Sequence, residues 1–353
     1  MGSAATNGRE VAKWAGLAAL SAVVAFGLDA VRLPAAFLIG PLVAAITVRL
    51  AGARLVLPRP VVVAAQATIG GMIGSALTPS IVTTFRADWP VLLAVVAATI
   101  VFANLAGWLL SRFGVVPGTT GVWGSSPGAA NAMVILSEAH GGDIRLVAFM
   151  QYLRVLFVAS SASLVARAWL GVDASATAHV LFPPLDGLRV GATVAVIAVA
   201  GVIGLRSRLA NGAMMGPLLT LAVLRGAGLF EPSLPPWLLI LAYAGLGWNI
   251  GLRFTREAIA HAARALPWIV VSILALMSFS AGLAVILVHE VGVDPLTAFL
   301  ATSPGGLDTI AVIAASTPVD VSFVLALQVV RFFVLVFAGP SLSRLVARHL
   351  PGR

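Results

Sequence analysis

Apolar segments long enough to cross a bilayer recur along the whole chain, and no other feature limits its fold so strongly. Hydropathy divides the sequence into twelve such segments, at about 11–28, 34–50, 60–78, 90–112, 118–140, 144–169, 188–205, 211–227, 236–253, 266–288, 294–315 and 320–346. Crossing a hydrocarbon core of ~30 Å takes about 17–25 helical residues, and most of the segments fall in that range. Composition agrees: 60% of the 353 residues are hydrophobic and 10% are charged. A soluble globular domain averages about 45–50% apolar and about 25% charged residues. The surroundings of this chain are therefore lipid, and the expected fold is an all-α polytopic membrane protein.

The net charge of +9 does not point to nucleic acid. Lys and Arg sit one to three at a time between the apolar segments, as topology-setting charges do, and form no basic patch. The chain has no cysteine, which excludes disulfides, thiolate nucleophiles and thiolate metal sites. The start resembles a signal peptide, with Arg9 and Lys13 before an apolar run from Trp14 to Leu28. That run is part of the internal repeat described next, so it is read as a retained first span.

The two halves match. Ser126-Pro127-Gly128 recurs 177 residues later as Ser303-Pro304-Gly305. At the same offset Asn131 meets Asp308, Asp143 meets Asp320, Gln151 meets Gln328, and Arg154 meets Arg331. Gly70 and Gly74 meet Gly247 and Gly251, and Gly40-Pro41-Leu42 meets Gly216-Pro217-Leu218 with one residue of slip. Rare polar residues in register across an apolar chain mark a duplication. The expected organisation is an N-terminal tail (1–10), a first membrane repeat (11–170), a polar linker (171–187) and a second membrane repeat (188–350).

Charge then orients the repeats. If all twelve segments cross, Lys and Arg outside the helices divide 12 inside to 8 outside, and Arg253, Arg256 and Arg264 fall on the wrong side. If the fifth segment of each half dips in and returns, the division becomes 15 to 5 and the second half is inverted. Each arm of such a re-entrant hairpin has about 10–12 residues, which at 1.5 Å per residue reaches mid-membrane. The prediction is ten spans plus two re-entrant Gly/Pro hairpins in two inverted halves. The termini are then cytoplasmic, and the membrane expected is a bacterial inner membrane.

The hairpin tips are the candidate site. Pro127 and Pro304 each remove a backbone donor, and Gly128 and Gly305 permit a turn. Breaks of this kind cannot face lipid and must be buried or line a wet cavity. Matching interruptions in two inverted halves are the best sequence pointer to a transport site. Asn131 and Asp308 follow the tips by equal spacing. Asp308, with Ser303 and Thr309 as further oxygen donors, reads either as a proton or Na⁺ ligand or as an N-terminal helix cap. Gln151-x-x-Arg154 and Gln328-x-x-Arg331 place a Gln and an Arg on one helical face. A guanidinium at that depth costs at least ~2.5–3.5 kcal/mol on insertion scales. Each Arg therefore either forks onto an anionic solute or braces the carbonyls of a break. Gly40-Pro41 and Gly216-Pro217 read as kinks or as a partner break, and the Gly70–Gly74 and Gly245–Gly251 stretches as close helix packing.

Enzymatic signals are thin. The five His (140, 179, 261, 289 and 349) form no repeated cluster, and Glu138-Ala139-His140 is too small a signal for a metal site. No phosphate-binding loop, dinucleotide fingerprint or nucleophile elbow is present, so neither an ATP-driven pump nor an enzyme is expected.

The paired S-P-G-x-x-[ND] tips and the Q-x-x-R helix after each resemble the AbrB-like membrane protein family, over about residues 11–350. Members of that family are described as ammonia monooxygenases or as regulators of gene expression. The first description implies a metal-centred oxidase, for which this chain shows no ligand set. The second implies an indirect route through a transported or sensed metabolite, because no soluble basic domain exists here. The leading expectation is a secondary transporter of a small polar or anionic solute, coupled to H⁺ or Na⁺. It needs no cofactor and makes no direct nucleic-acid contact. Its partners are the bilayer, the solute and the ion, with a homodimer as an open option. The alternative from another class is a membrane-embedded regulator or sensor, and a membrane monooxygenase ranks last.

Overall fold

The computed structural model describes residues 2–31, 33, 35–77, 80–127, 133, 137, 141–170, 186–207 and 211–348. Fourteen helices run through the described residues, which contain no strand. The first half supplies α1 (Gly2–Ala30), α2 (Ala36–Leu50), α3 (Arg59–Ala76), α4 (Ser80–Arg112), α5 (Thr120–Ser125) and α6 (Ile144–Leu170). The second supplies α7 (Gly187–Arg206), α8 (Gly212–Gly226), α9 (Pro236–Gly251), α10 (Arg256–Ala262), α11 (Leu266–Glu290), α12 (Pro295–Thr302), α13 (Leu307–Ala315) and α14 (Val321–Arg348).

Five helices are long and apolar enough to cross a membrane: Glu10–Ala30, Trp89–Arg112, Ile144–Val165, Gly187–Arg206 and Leu266–Glu290. The helices α9 and α10 make a sixth candidate if they are one span bent by 54°. Fewer helices therefore qualify on their own than the ten expected. The reason is length: α2 and α8 have 15 residues each, which at 1.5 Å per residue is about 22 Å. The outer helices leave large apolar side chains uncovered, among them Val23, Val101, Val199 and Val271. Apolar surface of this kind suits contact with lipid.

The element starts and stops recur between the halves. Ala35 and Asn211, the residues before α2 and α8, both have left-handed backbone, at φ 57° and 55°. Pro58 and Pro235 cap α3 and α9. Pro41 and Pro217 lie inside α2 and α8, and both helices run through them. These prolines therefore do not interrupt the second segment of either half.

The halves hold each other through small residues. A Cβ at Gly70 or Gly74 of α3 would sit 2.1 or 2.3 Å from the carbonyl oxygen of Met214 or Leu218 on α8. On the other side, a Cβ at Gly247 or Gly251 of α9 would meet the carbonyl oxygen of Leu38 or Leu42 on α2, at 2.7 or 2.5 Å. Helix α3 thus lies against the second half, and α9 against the first. Only glycine allows backbones so close, and this is how small residues join helices where the hydrophobic effect contributes little.

Candidate functional site

Two short helices end at the breaks seen in the sequence. Helix α5 stops at Ser125 and α12 at Thr302, and the next residues, Ser126 and Ser303, are extended at φ −60°, ψ 118° and φ −52°, ψ 131°. Each precedes a proline, whose ring disfavours helical backbone in the residue before it. Extended backbone at Gly306 (φ −73°, ψ 144°) then leads into α13. Gly305 does not have positive φ. Its missing side chain matters for space, because a Cβ there would lie 2.9 Å from Cγ1 of Val158 on α6. The second tip is thereby pressed onto a first-half helix.

A helix C-terminus leaves four carbonyls without intrahelical partners. The Gln and Arg of the following long helix take several of them. Gln151 donates through Nε2 to the carbonyls of Trp123 and Ser126, at 2.9 and 3.0 Å. Gln328 donates to those of Leu300, Ala301 and Ser303, at 2.9, 3.2 and 3.1 Å. Arg154 donates through Nη1 to Ser125 O and Ser126 O, at 2.9 and 3.1 Å. Arg331 donates through Nη1 to Ser303 O at 2.7 Å and through Nη2 to Gly305 O at 2.9 Å. In each half the Arg Nη2 also donates to the Gln Oε1, at 2.6 Å in the first and between Arg331 and Gln328 in the second. The spacing of three residues that put Gln and Arg on one face is what permits this fork.

The same pairing closes the base of each broken segment. The amide of Asp143 donates to Thr120 Oγ1 at 2.9 Å, and the amide of Asp320 to Thr297 Oγ1 at 3.1 Å. Thr120 stands near the start of its segment and Asp143 just past its end, so both ends of the segment lie at one place. Asp143 and Asp320 then cap α6 and α14, accepting from the amides of Leu146 and Phe323 at 3.1 and 3.0 Å.

Gln151, Arg154, Gln328 and Arg331 are all buried, as are Ser126, Ser303 and Thr309. Pro127, Pro304 and Gly305 are buried too. The structure therefore gathers these ten positions at the two tips. Gly128 and Asn131 lie outside the described residues, and Asp308 is described only by its backbone, in the first turn of α13. Neither Arg154 nor Arg331 has a carboxylate partner among the described residues. The negative ends of α5 and α12 supply what compensation there is. A water-sized cavity touches Gly124, Ser125, Met150 and Arg154 on one wall and Ile269, Ser272, Ile273 and Leu276 of α11 on the other. No group of three or more His, Cys, Asp and Glu able to hold a metal occurs among the described residues.

Sequence reasoning missed Thr120 and Thr297, whose only signal is their shared offset of 177. It also set His261 aside, although His261 Nε2 meets Asp143 Oδ2 at 2.7 Å. Burial alone would raise the Asp143 carboxyl. The hydrogen bond and charge of His261, with the amides of Leu146 and Arg145, outweigh it and hold the group below its ordinary value.

Buried cations on paired helix breaks, within a shell of lipid-exposed apolar helices, define a class: helical membrane proteins with a charged, water-excluded centre. Within that class the chain belongs to the AbrB family, whose model, described as "Transition state regulatory protein AbrB", matches residues 37–347. The chain is 45% identical over 344 residues to an Escherichia coli K12 protein named "Putative regulator AbrB", covering 97% of this chain and 99% of the relative. It is 26% identical over 302 residues to a Bacillus subtilis 168 protein named "Uncharacterized protein YhjN", covering 81% and 78%. No solved structure matches the chain.

Proposed function

We propose that this chain is a secondary transporter of a small polar or anionic solute, coupled to H⁺ or Na⁺. It is built as two inverted halves, each with five spans and one re-entrant hairpin. The observation that carries the reading is the pair of broken segments whose tips are held, inside the bilayer shell, by buried guanidiniums with no described carboxylate. A structural kink needs only neutral donors, whereas a route for a polar solute needs charge and irregular backbone at depth.

Hydrogen bonds between chain ends support the inversion. Thr120 with Asp143, and Thr297 with Asp320, are pairs that a membrane-crossing fifth segment would separate by the whole bilayer. Arg256 Nε donates to Leu50 O at 2.6 Å, and twelve crossings would put those two residues on opposite sides. In the ten-span arrangement both are cytoplasmic, with Asp143 and His261. On the outer side Ser322 Oγ donates to Ala76 O at 2.6 Å, and the Ser233 amide to Thr193 Oγ1 at 3.0 Å. Both pairs fit this arrangement, although twelve crossings would also keep each pair on one side. Bacterial relatives favour the inner membrane, with both termini in the cytoplasm.

In this reading Arg154 and Arg331 supply positive potential, Asp308 carries the coupling ion, and the hydroxyls of Ser126, Ser303 and Thr309 line the path. The test is uptake into proteoliposomes under imposed H⁺ or Na⁺ gradients, with a panel of small anions and zwitterions. Gradient-driven uptake that falls in Asp308→Asn and Arg331→Gln is expected; uptake indifferent to both substitutions refutes the assignment. Single cysteines at 54, 145 and 256 should label from one side, and those at 231 and 294 from the other.

A second reading, a membrane-embedded regulator acting indirectly on gene expression, is favoured by the name of the Escherichia coli relative. A transcript response that persists in folded, transport-dead variants would select it.

A further inference from the structure

The two tips are not chemically equal. Among the described residues, five buried side-chain polar atoms have no hydrogen-bond partner. Three of them lie together at the first tip: Ser125 Oγ, Ser126 Oγ and Arg154 Nε. These residues are 6%, 0% and 2% exposed, so water at the surface does not satisfy them. The second tip leaves less unfilled. Thr302, which stands where Ser125 does, donates its hydroxyl to Ala298 O at 3.0 Å, and Arg331 reaches the extra carbonyl of Gly305. A water-sized cavity touches Ser125 and Arg154 and is bounded across the gap by Ser272 of α11.

We infer that this cavity is an anion subsite, in which Arg154 Nε and the hydroxyl of Ser125 donate to one compact, monovalent anionic acceptor. The charge argument is direct. Arg154 is buried, the oxygens it donates to belong to carbonyls and an amide, and Arg331 holds Gly305 against Val158, one turn further along the helix that carries Arg154. Neutral oxygens solvate a cation without neutralising it, and an uncompensated buried charge is what an anion relieves. Arg154 Nη1 and Nη2 hold the tip, while Nε–H and the Ser125 hydroxyl, both on cavity-lining residues, remain for a ligand. Bonds from a guanidinium to an anion are about twice as strong as neutral ones. The size of the cavity admits a halide ion or one oxygen of a carboxylate; a larger solute would place its anionic end there while α11 moves away from α5. The inference rests on the transporter reading for its route from water, but binding is measurable without flux.

The test is isothermal titration of detergent-purified full-length protein with sodium chloride and, separately, sodium acetate, against a gluconate background of constant ionic strength. Wild type should bind. The double variant Ser125→Ala/Ser126→Ala should bind about tenfold more weakly or worse, the loss expected when a charge-assisted donor is removed. That variant breaks no protein hydrogen bond, so it should fold and, without added anion, melt no lower than wild type. Arg154→Lys should bind more weakly as well, whereas Ser163→Ala, another unpartnered buried hydroxyl, should bind as wild type does. Binding of chloride alone identifies a free ion, and binding of acetate identifies the carboxylate end of a solute; either supports the subsite. Absence of binding by both anions, or equal affinity in the double alanine variant, overturns it. Anion binding without gradient-driven uptake would refute the transporter reading and leave the subsite standing. Uptake of a cationic or neutral solute with no anion binding would do the reverse.

Discussion

Replacing Gln328 by Leu is the sharpest probe of how the second tip is held. The substitution keeps volume and removes all polar capacity. Gln328 Nε2 donates to Leu300 O, Ala301 O and Ser303 O, and its Oε1 accepts from Arg331. Ser303 O keeps its bond from Arg331 at 2.7 Å, so it is spared. The carbonyls of Leu300 and Ala301 close α12 and have no further helix to bond, and Arg331 loses one acceptor. An orphaned buried polar group costs about 1–3 kcal/mol. Two carbonyls and part of a guanidinium give roughly 3–6 kcal/mol, offset by about 1 kcal/mol for burying Leu in place of Gln. Proteins are stable by about 5–15 kcal/mol, so Gln328→Leu removes a large share of that margin. At about 2 °C per kcal/mol for a long chain, the melting temperature in detergent should fall by roughly 4–10 °C. Gln328→Glu is the companion, retaining an acceptor for Arg331 while losing the donor, and should fall less. Gln151→Leu should fall in the same direction but by less, because Ser126 O keeps its bond from Arg154 and only the Trp123 carbonyl is orphaned. A drop below about 1 °C for both Leu variants would refute the claim that these forks hold the breaks.

Other outcomes follow from the same geometry. Gly70→Ala sets a Cβ 2.1 Å from Met214 O, backbone against backbone, and should cost about 1–3 kcal/mol in thermal unfolding; Gly16→Ala, with nothing within 4 Å, should be neutral. Thr297→Val leaves the Asp320 amide without its acceptor and should lower stability by about 1 kcal/mol, with Thr297→Ser restoring it. The depressed Asp143 carboxyl stabilises the folded state above its unfolded value of about pH 4, and that contribution is lost as pH falls through the lower folded value. Acid unfolding profiles of wild type and Asp143→Asn should therefore differ above about pH 4 and converge as pH falls through the lower folded value.

How far the sequence revealed this architecture depended on chemical rarity. Ser-Pro-Gly, Gln-x-x-Arg and Asp are scarce in apolar surroundings, so their recurrence at one offset stood out; among the described residues Ser126-Pro127 and Ser303-Pro304-Gly305 fall on breaks, the Gln and Arg form the forks, and Asp143 and Asp320 cap helices. The roles of the forks were less legible. A buried Arg could have met a solute or a carbonyl, and only coordinates place Nη1 and Nη2 on Ser125, Ser126 and Ser303. Thr120 and Thr297 escaped notice because threonine is common, and its hydroxyl acts here across 23 residues. The glycines of α3 and α9 were legible as packing residues, but their partners were not: contact with the opposite half is a tertiary fact that no local pattern encodes. Pro41 and Pro217 misled for a related reason. Each proline is the sixth residue of its helix and removes one intrahelical donor, yet the helix continues through it, with the preceding glycine packed against a neighbouring backbone.

The decisive question is why each fork contains an arginine. Bracing alone does not demand one. Gln151 and Gln328 already satisfy five tip carbonyl contacts with neutral donors, and a second amide could take the rest without carrying charge into the bilayer. A guanidinium instead costs at least ~2.5–3.5 kcal/mol at that depth. Replacing buried charge by neutral groups of like shape is often stabilising, so a costly arginine present in both copies of the duplicated half fits a use for the charge itself. Positive potential at the centre of a membrane protein repels cations and draws anions, and it does so most strongly where water is excluded. The first tip supplies the donors such an anion needs, in Arg154 Nε and the unpartnered Ser125 hydroxyl. At the second, Arg331 is more fully engaged with backbone. The two forks thus repeat one structural device, and only the first is left chemically unfinished.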